Sequence, residues 1–292
     1  MKKDLNIMIA INNNYFEICK TMLFSLMKYN NDRKINIYLL NKSLSDEKIN
    51  DISKYIEAMG GKFKNIAVSD NDLPELPIVI NRFSIEMYYR IIAQKLLPKD
   101  LDKVLWLDAD IIINGKLDRF YDQSFNDKYL VVCKDFYEKE KEIQDIKKRM
   151  DINDKHVYFN SGVILFNLNK IRRSITEEDI KNCLIKYRDK LTYPDQDILN
   201  YLYQNNVKYD NEYIYNFQVN NLRSLTKDQL NSIKIIHYSG ARKPWDVKRT
   251  WSVCKSYWKI EWERKKYLKV ITFSILYSVL LIPKKLKSIL KG

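Results

Sequence analysis

Histidine and cysteine are scarce in this 292-residue sequence. There are two histidines, His156 and His237, and four scattered cysteines, Cys19, Cys133, Cys183 and Cys254. No CxxC pair and no zinc-like spacing occurs, which excludes a thiolate metal centre. Unpaired, scattered cysteines fit a reducing compartment. No Gly/Ser-rich linker and no internal repeat interrupts residues 1–250, so that stretch reads as one domain. Long apolar runs are missing too. The longest near the C-terminus, Val270–Ile282, has 13 residues, against about 20 for a spanning helix. The N-terminus, MKKDLNIMIAINNNY, carries two lysines and then an apolar run that Asn6 interrupts. No small-residue cleavage site follows, so Leu5–Ile11 reads as a first strand rather than a signal peptide.

What is present is a hydrophobic content of 46% and a formal net charge of +14. That suffices for a sizeable core and points to an anionic partner. Residues 251–292 carry +8 of this charge, with ten Lys or Arg against Glu261 and Glu263. In this tail Trp251, Tyr257, Trp258, Trp262 and Tyr267 alternate with basic residues, a pattern suited to a lipid headgroup layer. The tail is expected to be a basic amphipathic membrane-association segment on the inner face of a cell membrane. The competing expectation is that Val270–Ile282 packs on the domain. No nucleic-acid-binding motif accompanies the charge, and the apolar run is unsuited to such a role.

Strand and helix patterns alternate from the N-terminus. Strands are expected at 5–11, 35–41, 62–69 and 104–113, and helices at 16–30, 46–59 and 84–98. Gly60-Gly61 stops the second helix. Further strands are expected at 129–135, 158–168 and 234–240, and helices at 176–190 and 195–205. This order predicts an α/β fold with a mostly parallel sheet and helices on both faces.

VLWLDADIIIN (104–114) places two carboxylates, Asp108 and Asp110, inside an apolar strand. A carboxylate there is costly unless a charge meets it. Ligands of open parallel sheets bind beyond the carboxyl ends of the strands. Residues two apart in an extended segment share a side, so the pair can converge on a hard divalent cation; the competing expectation is an acid that caps a turn. In IIHYSGARKPW, His237 can complete such a site, and Lys243 can hold a phosphate as a point charge. YFNSGVILFNL offers Asn160, Ser161 and Gly162 at a strand start. YPDQDILN sets Asp195, Gln196 and Asp197 at a helix N-terminus, where Asp195 is either an N-cap or part of a polar cluster aimed at a sugar.

LWLDADIIINGKL, YFNSGVILFNLNKIR, YPDQDILN and HYSGARKPW occur in this order over residues 5–250. Together they resemble the family 8 glycosyltransferases, especially bacterial lipooligosaccharide α-galactosyltransferases and related sugar transferases. The resemblance implies a GT-A fold over 1–250, a UDP-sugar donor, manganese (or magnesium) as cofactor, and retention of anomeric configuration. It implies Asp108, Asp110 and His237 as metal ligands and Lys243 on the diphosphate. Asn12, Tyr15, Arg90, Ala109, Asn160, Ser161, Asp195 and Gln196 would line the donor site, with Asp195 and Gln196 at the reacting centre. Related members carry an acidic pair where this chain has Asn12-Asn13; the Asn12 amide can still accept the uracil N–H. The acceptor would be a glycan or lipid-linked saccharide. Two other functions remain open at this level: a nucleotide-sugar-binding protein with a degenerate site, and a transferase that glycosylates protein.

Overall fold

The computed structural model describes residues 4–72, 84–219, 226–241, 243–246 and 251–276. Among the described residues, ten strands form two sheets. They are β1 (Leu5–Ala10), β2 (Ile35–Asn41), β3 (Lys62–Ala67), β4 (Lys103–Leu107), β5 (Ile111–Ile113), β6 (Leu130–Lys134), β7 (Phe159–Asn167), β8 (Val207–Asp210), β9 (Phe217–Gln218) and β10 (Ile235–His237). The large sheet has the order β3-β2-β1-β4-β7-β6-β8. Only β7 runs against its neighbours β4 and β6; the other pairings are parallel. The fold is α/β with a mostly parallel sheet, the GT-A architecture.

Side-chain alternation sorts each strand between two cores. Ile7, Ile9, Leu105 and Leu107 face the helices Phe16–Tyr29 and Asp46–Ala58. Met8, Val104 and Trp106 face the opposite layer, which includes the helices Glu177–Tyr187 and Pro194–Leu202. The second helix ends where Gly60 takes φ +82° and the Gly61 amide donates to the Ile56 carbonyl, a left-handed stop that favours glycine.

Two expected elements differ from the structure. The run 104–113 is not one strand. It is β4, a turn at 108–110, and β5, and β5 leaves the large sheet to pair with β10. Both strands are buried, so their apolar residues read as one run, although their pairing partners change between them. The segment 84–98 is a 3-10 helix over Ile85–Ile92 followed by a short α-helix, Ala93–Leu96. The helix Lys141–Arg149 and strand β8 were not anticipated.

β5, β9 and β10 make a small sheet that packs under the C-terminal helix Trp251–Glu263. Tyr257, Trp258 and Ile260 of that helix are buried with Ile112, Phe217 and Ile236. Helical structure resumes over 267–276, where Val270 and Phe273 join the same cluster. Residues 277–292 lie outside the described residues, with the end of the apolar run and Lys284, Lys285, Lys287 and Lys291. Among the described residues no helix is long and apolar enough to cross a membrane.

Candidate active site

The site forms where β4 ends. β7 is antiparallel to β4, so its first residues lie at the same edge. The register pairs Leu107 with Val163, and the Asp108 amide donates to the Gly162 carbonyl (3.0 Å). The β6–β7 register shifts at this point: Val132 pairs with Ile164 but Cys133 with Asn160. Such a bulge re-aims side chains beside a site, and here it releases Ser161-Gly162-Val163 towards the β4 edge.

Asp108 and Asp110 converge through the turn rather than through strand alternation. The turn, one of the two competing expectations from the sequence, is present, and it is the turn that brings the two acids to one candidate cation site. β10 brings His237 opposite, pairing it with Ile111. One donor atom from each of Asp108, Asp110 and His237 lies within 4.8 Å of the others. His237 Nε2 is 3.4 Å from Asp110 Oδ1 and 3.7 Å from Asp108 Oδ2. Two atoms about 2.1 Å from a shared ion at ordinary ligand angles stand roughly 3–3.7 Å apart. The remaining contacts favour that arrangement. Asp108 Oδ1 accepts from Trp106 Nε1 (2.8 Å) and pairs with Arg90 Nη2 (2.8 Å), leaving Oδ2 turned towards His237.

The tautomer of His237 follows from its neighbours. Asn216 Nδ2 donates to Asn160 Oδ1 (2.9 Å), so the Asn216 oxygen faces His237 Nδ1 at 2.8 Å. That ring nitrogen must carry the proton, and Nε2 keeps its lone pair for a ligand, as in metal sites with a fixed second partner. Gly162 makes room for this: a Cβ there would lie 2.2 Å from His237 Cε1 and 2.9 Å from Asp108 Oδ2. A hard two-oxygen, one-nitrogen set at this spacing fits a divalent cation.

Lys243 contacts Asp110 Oδ2 and donates to the Tyr238 carbonyl (2.9 Å). Burial pushes the Asp110 carboxyl up, but the carboxyl is held below the usual range, with the Lys243 ammonium as the chief opposing charge. Arg90 lies over the Trp106 ring (4.2 Å) and spans two acids, Asp108 and Asp195. Its Nε proton is spent on the Met87 carbonyl (3.1 Å), so the 3.2 Å approach to Asp195 Oδ2 is an ion pair without hydrogen-bond alignment. Burial nevertheless dominates at Asp195 and raises its pKa.

Asp195 is not an N-cap; Tyr193 holds that position and Pro194 starts the helix. Gln196 Oε1 accepts from the Ser161 amide (3.0 Å) and Asn160 Nδ2 (3.1 Å), and Gln196 Nε2 donates to Asp135 Oδ2 (3.3 Å). Asn12 Oδ1 accepts from the Asn14 amide (3.0 Å), capping the turn that carries Tyr15. Tyr15 meets the edge of Trp245 (6.2 Å). Its phenol is raised by burial, opposed by Lys243 and reinforced by Asp110 and Asp108, which puts it within electrostatic reach of the same cluster. Ala109 is buried in the turn.

Asn216 and Asp135 were missed from sequence. Nothing in the spacing of YIYNFQ marks Asn216. Asp135 did carry a signal, since it closes the apolar strand YLVVCKD just as Asp108 closes VLWL.

A carboxylate pair and a histidine thus converge at the carboxyl edge of a mostly parallel sheet, where ligands of such sheets bind. The sequence profile of glycosyl transferase family 8 matches residues 6–249. The chain belongs to glycosyl transferase family 8. A lipopolysaccharide 1,2-glucosyltransferase of Escherichia coli is 28% identical over 256 residues, covering 84% of this chain and 74% of the relative. Among solved family structures, an active-site Gln→Glu mutant of the transferase LgtC aligns with TM-score 0.76 and 26% identity, over 89% of this chain and 96% of that one. The galactosyltransferase LgtC in complex with donor and acceptor sugar analogs aligns with TM-score 0.75 at 26% identity, over 88% and 95%.

Proposed function

We propose that this family 8 transferase moves a hexose, glucose or galactose, from a UDP-sugar to a glycan or lipid-linked saccharide with retention of configuration. The observation that carries this is the convergence of Asp108, Asp110 and a tautomer-fixed His237 at the β4 edge. The similarity to a glucosyltransferase of lipopolysaccharide and to a galactosyltransferase supports a hexose donor and a surface saccharide acceptor. Manganese, with magnesium as the alternative, would be held by Asp108, Asp110 and His237, and when bound would supply Lewis-acid neutralisation of the charge on the departing UDP. Lys243 would exchange Asp110 for the diphosphate and add a second positive charge there. Arg90 holds Asp108 and Asp195 in register. Asp195 and Asn160 would orient the transferred sugar, and Asn12 and Tyr15 would meet the base.

Gln196 is a poor nucleophile, and its amide oxygen already accepts from Ser161 and Asn160. The acceptor is therefore expected to attack from the face that UDP leaves, without a glycosyl-enzyme. A glycosyl adduct on Asp195 or Gln196 in mass spectra taken during turnover would contradict this.

The membrane reading is supported by the helix 267–276, whose Leu268, Ile271 and Ile275 are exposed on one side while Val270 and Phe273 are buried on the other. Trp262 and Tyr267, in ring contact with each other, are exposed as well. A peripheral position on the inner membrane face would bring a lipid-linked acceptor to the site.

Calorimetric titration of UDP with and without Mn2+ tests the donor reading. Metal-dependent binding that disappears in Asp110→Asn is expected. Metal-independent binding, or none, would refute it.

A further inference from the structure

The segment 243–246 presents Lys243 to Asp110 and Trp245 to Tyr15, yet it lies in neither strand nor helix. Its hold comes partly from the C-terminal helix. The buried Trp258 donates its Nε1 proton to the Pro244 carbonyl at 3.0 Å. The indole itself is stacked on Phe273 (4.1 Å) and set edge-on to Tyr257 (5.3 Å). Tyr257 in turn packs against Trp245 (5.5 Å), which also meets Tyr15. Five aromatic rings thus connect the helix 267–276 with the turn at 13–15, beside the acids.

The base of this column is fixed. Glu261, fully buried in the same helix, accepts from Thr21 of the first helix and pairs with Arg264 and Lys269. A buried carboxylate with several partners fixes geometry, because moving away leaves each of them unpaired. Trp258 therefore lies one helical turn from a fixed point, its ring is held by Phe273 and Tyr257, and its N–H reaches the carbonyl between Lys243 and Trp245.

We propose that Trp258 is a positioning residue for the donor site. By holding the Pro244 carbonyl it sets the segment that carries Lys243 and Trp245, and so links the C-terminal helical pair to nucleotide affinity. This rests on the donor reading above, in which Lys243 meets the diphosphate.

Trp258→Phe keeps a ring against Phe273 and Tyr257 but removes the N–H. Two measurements decide the matter. Hydrogen exchange at the Asp246 amide, which donates to the Lys243 carbonyl (3.1 Å), should accelerate several-fold while sheet amides keep their rates. The dissociation constant for UDP with Mn2+ should rise about fivefold, as expected for one lost neutral hydrogen bond. In a Lys243→Met background the same change should add nothing, because both substitutions act through one segment. Unchanged exchange and affinity, or an additive loss in the double variant, would overturn the proposal. Wild-type protein that fails to bind UDP, or binding that survives Asp110→Asn, would overturn the donor reading instead; the exchange rates would still decide whether Trp258 holds the segment.

Discussion

Gly162 shows how far a single residue constrains the site. It lies beside both Asp108 and His237, and any side chain there would enter the space of His237 Cε1 and Asp108 Oδ2. The contacting atoms belong to hydrogen-bonded side chains with little freedom to swing aside, since the buried His237 is tied to Asn216 and the half-buried Asp108 to Trp106 and Arg90. Gly162→Ala should therefore lower affinity for Mn2+ at least tenfold by calorimetry, with a much smaller change in melting temperature. Wild-type metal affinity in this variant would show that His237 is not a ligand. At this scale, legibility depended on residue type. Asp108, Asp110, His237 and Lys243 could be picked out because their chemistry is rare in apolar surroundings. Asn216 could not, because an asparagine becomes informative only when the imidazole it orients is known. The Asn160–Gln196–Asp135 network was half legible: two members stood in recognisable motifs, and Asp135 only closed a strand.

Elements were legible where one period and one environment persisted. β2 was expected and found at 35–41, and the first helix differs by one residue at its end. The failures came where the environment changed without a change in composition. β4 and β5 are equally apolar but belong to different sheets, so hydrophobicity could not reveal the turn between them. The helix Pro194–Leu202 carries a testable consequence of its own. Its start is tied by Asp197, whose Oδ2 accepts from the Thr192 (2.7 Å) and Tyr193 (3.0 Å) amides while Oδ1 accepts from the Tyr158 hydroxyl. Burial dominates over these bonds and pushes the carboxyl up to about 6. A folded-state pKa above the unfolded value of about 3.9 means the native state prefers the protonated acid. The resulting stability is complete below pH 4 and is lost as pH rises through 6. Asp197→Asn has no such titration. The unfolding free energy of wild type minus that of the variant should therefore fall between pH 4 and 6, by up to about 3 kcal/mol. Urea unfolding at several pH values gives this difference directly. A flat difference would mean that the helix-start hydrogen bonds, not burial, set the charge state of Asp197.

At the scale of the whole molecule, charge and shape are distributed unevenly. Residues 251–292 hold +8 of the net +14, and the part of this stretch within the described residues is built into the body by Glu261 and by Tyr257, Trp258 and Phe273. Of the exposed large aliphatic residues among those described, Leu268, Ile271, Ile275 and Leu276 fall in this stretch, against Ile185 and Leu230 elsewhere. If this side meets an anionic bilayer, attraction should come from the lysines and insertion from the aliphatic side chains. Each basic residue near such a surface contributes on the order of 1 kcal/mol, less as salt screens it. Replacing Lys284, Lys285, Lys287 and Lys291 together by Gln should then reduce co-sedimentation with phosphatidylglycerol vesicles at least tenfold. The wild-type protein should lose the same binding progressively as salt is raised. Leu268→Asp with Ile271→Asp should weaken binding even at low salt, because a carboxylate cannot enter the acyl boundary without a large desolvation cost. Nucleotide affinity should stay unchanged in the lysine variant, since the donor reading gives none of those four residues a role. Vesicle binding that survives all of these substitutions would place the membrane contact elsewhere on the protein and leave the basic stretch to a different anionic partner.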